Sequence, residues 1–160
     1  MQTIRFIIPG ECKGKGRPRF SRRGNYVTTY TDNDTTLYEN WVKTSFLNTH
    51  QAPFDKETQI KCTLTAWFSI PSSKPKKAKA LMAEQKLKPI KKPDCDNIAK
   101  IILDGLNNIA YKDDTQITTL IVKKFYTDKE PFVMVEMTED YEQNEYWENG
   151  RTNNRKPRFT

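Results

Sequence analysis

Asp94, Asp96 and Lys100, followed by Asp113 and Asp114, are the residues whose types and spacing could do chemistry. They stand in Pro93-Asp94-Cys95-Asp96-Asn97-Ile98-Ala99-Lys100, then Asp104, then Lys112-Asp113-Asp114-Thr115-Gln116-Ile117, a concentration of acids inside a basic protein. On a chain held extended by Pro93, side chains two apart point the same way, so Asp94 and Asp96 are expected to converge while Cys95 points away. Two carboxylates brought together cost free energy unless a cation neutralises them. Hard oxygen donors on short side chains suit Mg²⁺, with Mn²⁺ able to substitute, rather than zinc. Asp114 would close the cluster if the chain folds back there, with Asp113 beside it.

Asp96 is expected at the N-cap of the following helix, where unpaired N–H groups and the positive end of the dipole favour a phosphate oxygen. Lys100 stands one turn along, where its ammonium could approach that phosphate, and Asp104, a turn further, could hold the ammonium in place. Taken singly, each feature has a plainer reading: a cap, an exposed i, i+4 pair, two turn formers. Their combination is what points to metal-assisted phosphate chemistry. The rest of the chain narrows the field. His50 is the single histidine, which leaves little scope for Ser-His or Cys-His nucleophiles. Cys12, Cys62 and Cys95 are odd in number and widely spaced, which argues against a disulfide framework or zinc site and fits a reducing cytoplasm. Gly10, Gly14 and Gly16 do not match a phosphate-binding Walker loop, and no small-molecule cofactor is expected.

These side chains need elements to position them. Ile98, Ile101, Ile102, Leu106 and Ile109 recur at i, i+3, i+4, i+8 and i+11, which predicts a helix over about 97–108. Thr58 to Ile70 alternates, with Ile60, Cys62, Leu64, Ala66, Phe68 and Ile70 on the buried side of a long strand. Thr3 to Ile8 reads as a short strand, and the glycine-rich stretch after it as a flexible basic loop. Tyr26 to Tyr30 reads as one arm of a hairpin. A helix capped at Thr31 or Asp32 is expected to bury Leu37, Trp41, Val42 and Phe46. Lys76 to Lys86 reads as an exposed helix or arm, Lys88 to Pro93 as extended chain, and 116–126 with 131–138 as a closing antiparallel hairpin. The fold class is therefore α+β, a single mixed β-sheet packed with helices, over residues 1–138, with a polar tail at 139–160.

A chain of 160 residues with 36% hydrophobic content supports one core, and no run is long and apolar enough to cross a bilayer. The net charge of +7 is concentrated in two blocks. The first carries Lys13, Lys15, Arg17 and Arg19; the second, Lys74 to Lys92, holds eight lysines against Glu84 alone and ends in Lys91 and Lys92. Such blocks can neutralise backbone phosphates and so suggest a nucleic acid as partner, and not a membrane, although a lysine run alone is more often a solvated face that keeps a protein soluble.

The same residues resemble the RusA-type Holliday-junction resolvases: DCDNIAK, then LDGLNN, then YKDDTQI, with GKGRPRF similar to the amino-terminal loop of phage-type members. The resemblance implies a homodimer that nicks two strands of a four-way DNA junction. It implies Asp94, Asp96 and Asp114 as Mg²⁺ ligands, Lys100 as the essential basic residue, and Asn97, Asp104 and Asp113 in support. The residues and the resemblance agree on in-line hydrolysis of a phosphodiester, with the cation and Lys100 stabilising charge on the phosphoryl oxygens. A non-catalytic basic DNA-binding protein and a less selective flap or branched-DNA nuclease are the alternatives. The region from Ser72 to Lys92 looks like a longer lysine arm than compact members of the family need, and the tail from Glu139 has no counterpart in them.

Overall fold

The computed structural model describes residues 1–16 and 19–141. In chain order the elements are β1 (Thr3–Pro9), β2 (Arg19–Arg23), β3 (Tyr26–Tyr30), α1 (Asn33–Leu47), β4 (Ile60–Ser69), α2 (Lys76–Ala83), α3 (Cys95–Leu106), β5 (Ile117–Thr127) and β6 (Phe132–Glu139). This is the α+β class expected: a mixed four-stranded sheet in the order β1-β6-β4-β5, three helices, and a separate two-stranded hairpin of β2 and β3.

Alternation drives the sheet. Ile4, Phe6 and Ile8 of β1, the even-numbered residues Ile60 to Phe68 of β4, and Val133, Val135 and Met137 of β6 all point to one buried face. Against that face pack Ile98, Ile101, Ile102 and Leu106 of α3, all fully buried. Each such side chain contributes about 1.5–3 kcal/mol relative to exposure, which fixes the rotation of α3. Where α3 crosses α1, Gly105 lets the backbones close: a Cβ there would stand 3.0 Å from the Glu39 carbonyl oxygen and 3.1 Å from Val42 Cβ.

Several expectations are corrected. β5 and β6 do not form a hairpin, because β4 lies between them, parallel to β5 and antiparallel to β6. Local β propensity gives the strands but not their neighbours, and here the long central strand takes both partners. α1 buries Val42 and Phe46 as expected but not Leu37 and Trp41, which are 66% and 43% exposed; Thr35, Tyr38 and Ser45 are buried as well. Small polar residues sit inward because α1 receives backbone there, Gly16 N donating to Thr35 Oγ1 at 3.1 Å. Trp41 stays at the rim, where Nε1 donates to the Pro9 carbonyl at 2.8 Å.

The glycine-rich stretch read wholly as loop supplies β2, the second arm of the hairpin. Its two-residue turn has Gly24 at φ +61°, the left-handed value a primed hairpin turn requires at its first central residue. The lysine arm is anchored. Met82 of α2 is buried, and the Gln85 side chain brackets the Tyr126 backbone, donating to its carbonyl at 2.7 Å and accepting from its N–H at 3.3 Å. Lys88 to Pro93 bends at 91–93 instead of running extended. Just past β6, Asp140 N donates to Gln59 O, and the Asp140 carboxylate accepts from Thr118 and Thr119 hydroxyls at 2.6 Å each. The tail beyond, residues 142–160, lies outside the described residues, as does Arg17. Among the described residues no helix is long and apolar enough to cross a membrane.

Candidate nuclease site

The loop over 11–16 lies across the N-terminus of α3, and two glycines let it do so. A Cβ on Gly14 would stand 2.7 Å from Pro93 Cβ and 3.3 Å from Asn97 Cβ; one on Gly16 would stand 2.8 Å from Thr35 Oγ1. Between them, Lys15 N donates to the Asn97 carbonyl at 3.2 Å. Its side chain runs between the helices to pair with Asp104 Oδ2 at 2.7 Å and with Glu39 Oε1. Burial lowers the Lys15 pKa, but hydrogen bonds and charge from Asp104 and Glu39 outweigh that, so the ammonium titrates above the ordinary lysine value. Lys15 is therefore a structural strut rather than the free phosphate contact expected, and Asp104 holds Lys15, not Lys100. Glycines two apart around a lysine were the signal for this docked loop; Glu39, its other anchor, carried none.

Between loop and helix opens a groove of about 1020 Å³ lined by Lys13, Lys92, Pro93, Asp94 and Asn97 among others. Cys12 also lines it, but burial pushes its thiol to about 11, which leaves no thiolate nucleophile at neutral pH. Asp94, with β-region φ −75° and ψ 162°, is the N-cap of α3 in place of Asp96, and its carboxylate accepts from Asn97 Nδ2 at 2.5 Å. The extended stretch thus ends two residues sooner than expected. Asp96 is already in the first helical turn, so the two exposed carboxylates flank the helix mouth instead of standing in a row. Asp96, Lys100 and Asp104 then follow along one edge of the helix at i, i+4 and i+8. Asp96 and Lys100 are exposed and have no ion pair among the described residues.

Asp113 and Asp114 divide the work of their turn. Asp113 caps the 3-10 turn Asp114–Gln116, accepting from Thr115 Oγ1 at 2.5 Å and Thr115 N at 3.4 Å, and these hydrogen bonds hold its carboxyl below the usual range. Gln116 Oε1 closes the capping box by accepting from Asp113 N at 3.3 Å, accepts also from Lys112 N at 2.8 Å, and the Gln116 amide nitrogen ties the turn to the Asp55 and Thr58 carbonyls. The half-buried Asp114 carboxylate has no hydrogen bond among the described residues. It lies toward the far end of α3: Tyr111 donates to the Leu103 carbonyl at 2.8 Å, and its hydroxyl, pushed up by burial, also feels the charges of Asp114, Asp104 and Asp113. A helix of 12 residues spans about 18 Å. Asp94 and Asp96 therefore open one end of α3 while Asp114 stands toward the other. Among the described residues, no group of three or more His, Cys, Asp or Glu is gathered closely enough to hold a metal.

Of the remaining expected phosphate contacts, Lys13 and Lys92 are exposed at the groove, Arg19 is exposed with Asp32 at 3.6 Å, and Lys91 pairs with Glu11 at 3.2 Å. The donor set fits a hard divalent cation in part. Two exposed carboxylates and a helix N-terminus share one mouth, and the third oxygen donor, Asp114, stands toward the other end of α3.

The model of the family described as Endodeoxyribonuclease RusA matches residues 9–138. The chain is also 34% identical over 144 residues to an uncharacterized protein, YqaN, of Bacillus subtilis (strain 168), covering 87% of this chain and 98% of that one.

Proposed function

Because the chain belongs to the RusA endodeoxyribonuclease family, we propose that it is a structure-selective endonuclease that resolves four-way DNA junctions by paired, Mg²⁺-dependent nicks. The observation that carries this reading is the α3 mouth: the exposed Asp94 at the N-cap, and Asp96 and Lys100 on one helix edge with no ion pair among the described residues, beside a lysine-lined groove that ends at a helix N-terminus. In this reading the groove takes the DNA backbone, and the helix N-terminus and Lys13 hold the phosphate. Asn97 orients Asp94, while Lys100 stabilises charge that builds on the phosphoryl oxygens. Asp113 and Gln116 fix the turn that presents Asp114. A Mg²⁺ held by aspartates would supply Lewis-acid charge and lower the pKa of water.

The three aspartates do not share one end of α3, so the reading places the partner subunit's Asp114 beside Asp94 and Asp96 in a two-fold dimer. A four-way junction presents two equivalent strands, and two dyad-related sites match it. The test is a nicking assay on a synthetic four-way junction. Asp94→Asn is expected to abolish Mg²⁺-dependent cleavage while the metal-free complex still forms on a gel. Unchanged cleavage by that variant would refute the assignment.

A further inference from the structure

The β2–β3 hairpin forms its own two-stranded sheet, joined to no strand of the body. It follows Gly16 in the docked loop by only two residues, so it emerges beside the groove at the α3 mouth. Its register pairs Phe20 with Thr29 and Arg22 with Val27, which puts Phe20, Arg22 and Val27 on one face, with Tyr26 at the turn on the other. Phe20 is 73% exposed, Val27 63% and Tyr26 82%. From Arg19 to Tyr30 the ribbon carries three arginines, Arg19, Arg22 and Arg23, and no acid.

Apolar and aromatic side chains held out on an isolated ribbon are a surface with its partner missing. The charge names the partner class. An acid-free, strongly cationic ribbon complements phosphates, and flat apolar side chains between those cations complement the faces of bases. In a continuous duplex those faces are hidden by stacking. They become available where stacking is interrupted, as at the crossing of a branched molecule.

We propose that the hairpin is a wedge that enters the branch point. Phe20 and Val27 pack against unstacked base faces, Tyr26 stacks at the tip, and Arg19 and Arg22 hold the flanking phosphates. This rests on the reading of the chain as a nuclease of branched DNA and adds the feature that selects the branch. Apolar side chains inserted between base steps are an established way of deforming DNA. Five residues of strand reach about 17 Å, so a branch seated on the wedge lies close to the groove that holds the backbone.

The test uses the full chain without divalent metal, a four-way junction and a plain duplex of equal length. Each DNA carries 2-aminopurine, either beside the crossing or deep within an arm. Wild type is expected to raise fluorescence at the crossing and not within the arm. The Phe20→Ala/Val27→Ala variant is expected to lose that rise and to bind the junction about fivefold or more weakly, with duplex affinity and salt dependence unchanged. Phe20→Trp is expected to restore both. Arg22→Ala is expected to keep the rise but to reduce the salt slope by about one on both DNAs. A full fluorescence rise with Phe20→Ala/Val27→Ala overturns the wedge. So does an equal loss of affinity for duplex and junction, which would make the apolar face a general contact. Failure of wild type to bind the junction, or to nick it once Mg²⁺ is added, sinks the nuclease reading itself; normal nicking on adding Mg²⁺ after undisturbed 2-aminopurine in the metal-free complex sinks the wedge alone.

Discussion

Lys15 and Lys100 both stand near acids of α3, and the fold gives them opposite roles. Lys15 lies between two carboxylates from two helices, about three-quarters buried, whereas Lys100 is exposed and unpaired among the described residues. Lys15→Met is therefore expected to leave Asp104 and Glu39 as neighbouring uncompensated charges and to cost about 1–2 kcal/mol of stability. DNA affinity and its salt slope should barely change. Lys13→Met should do the reverse, with unchanged urea midpoints and a smaller salt slope. The Lys15 pKa is raised on folding, so its contribution is fully present below the ordinary value of 10.5 and is lost as pH rises through the folded value. The gap in urea midpoint between wild type and Lys15→Met should thus narrow in strongly alkaline solution. A gap independent of pH would rule out the strut. The flanking glycines mark Lys15, but its partners carry no signal in the sequence, because Glu39 and Asp104 lie 24 and 89 residues away along the chain.

At the scale of elements, Gly14 and Gly105 act through the absence of a side chain. Gly14→Ala would place a Cβ 2.7 Å from Pro93 Cβ, on a rigid ring that cannot turn aside, so the loop must lift from α3. The expected outcome is loss of most nicking activity with a stability loss of only about 1–3 kcal/mol, the range for local overpacking. Full activity would show that the docked loop is dispensable. Elements with strong internal periodicity were legible in the sequence. The isoleucine stripe of α3 and the alternation of β4 gave their types and buried faces, and the acidic constellation gave the α3 mouth. Features set by distant partners were not. The exposed side of Trp41 depends on the Pro9 carbonyl, the burial of Thr35 depends on Gly16, and the insertion of β4 between β5 and β6 is a pairing choice that strand propensity does not encode. The cap moved from Asp96 to Asp94 for a related reason: both residue types cap well, and packing of Ile98 and Ala99 sets where the first turn begins.

On the scale of the whole molecule, the separation of Asp94 from Asp114 by most of the length of α3 turns a question about ligands into one about subunits. A shared ion needs oxygens a few ångströms apart, whereas one chain places these groups toward opposite ends of α3. The proposed dimer, of twice 18.7 kDa, resolves this by pairing the two ends of antiparallel helices across the dyad. Mixed dimers make that arrangement measurable. Differently tagged Asp94→Asn and Asp114→Asn chains, co-expressed and purified through both tags, give dimers in which a site built across the subunits is doubly substituted on one side and intact on the other. Such dimers are expected to nick one strand of a junction per encounter, while each parent homodimer nicks none. If every ligand came from one chain, both sites of the mixed dimer would be damaged and no nick would appear. Wild type, with two intact sites, should cut both opposed strands before releasing the junction. The mixed dimer should instead accumulate singly nicked DNA that religation returns to an intact junction.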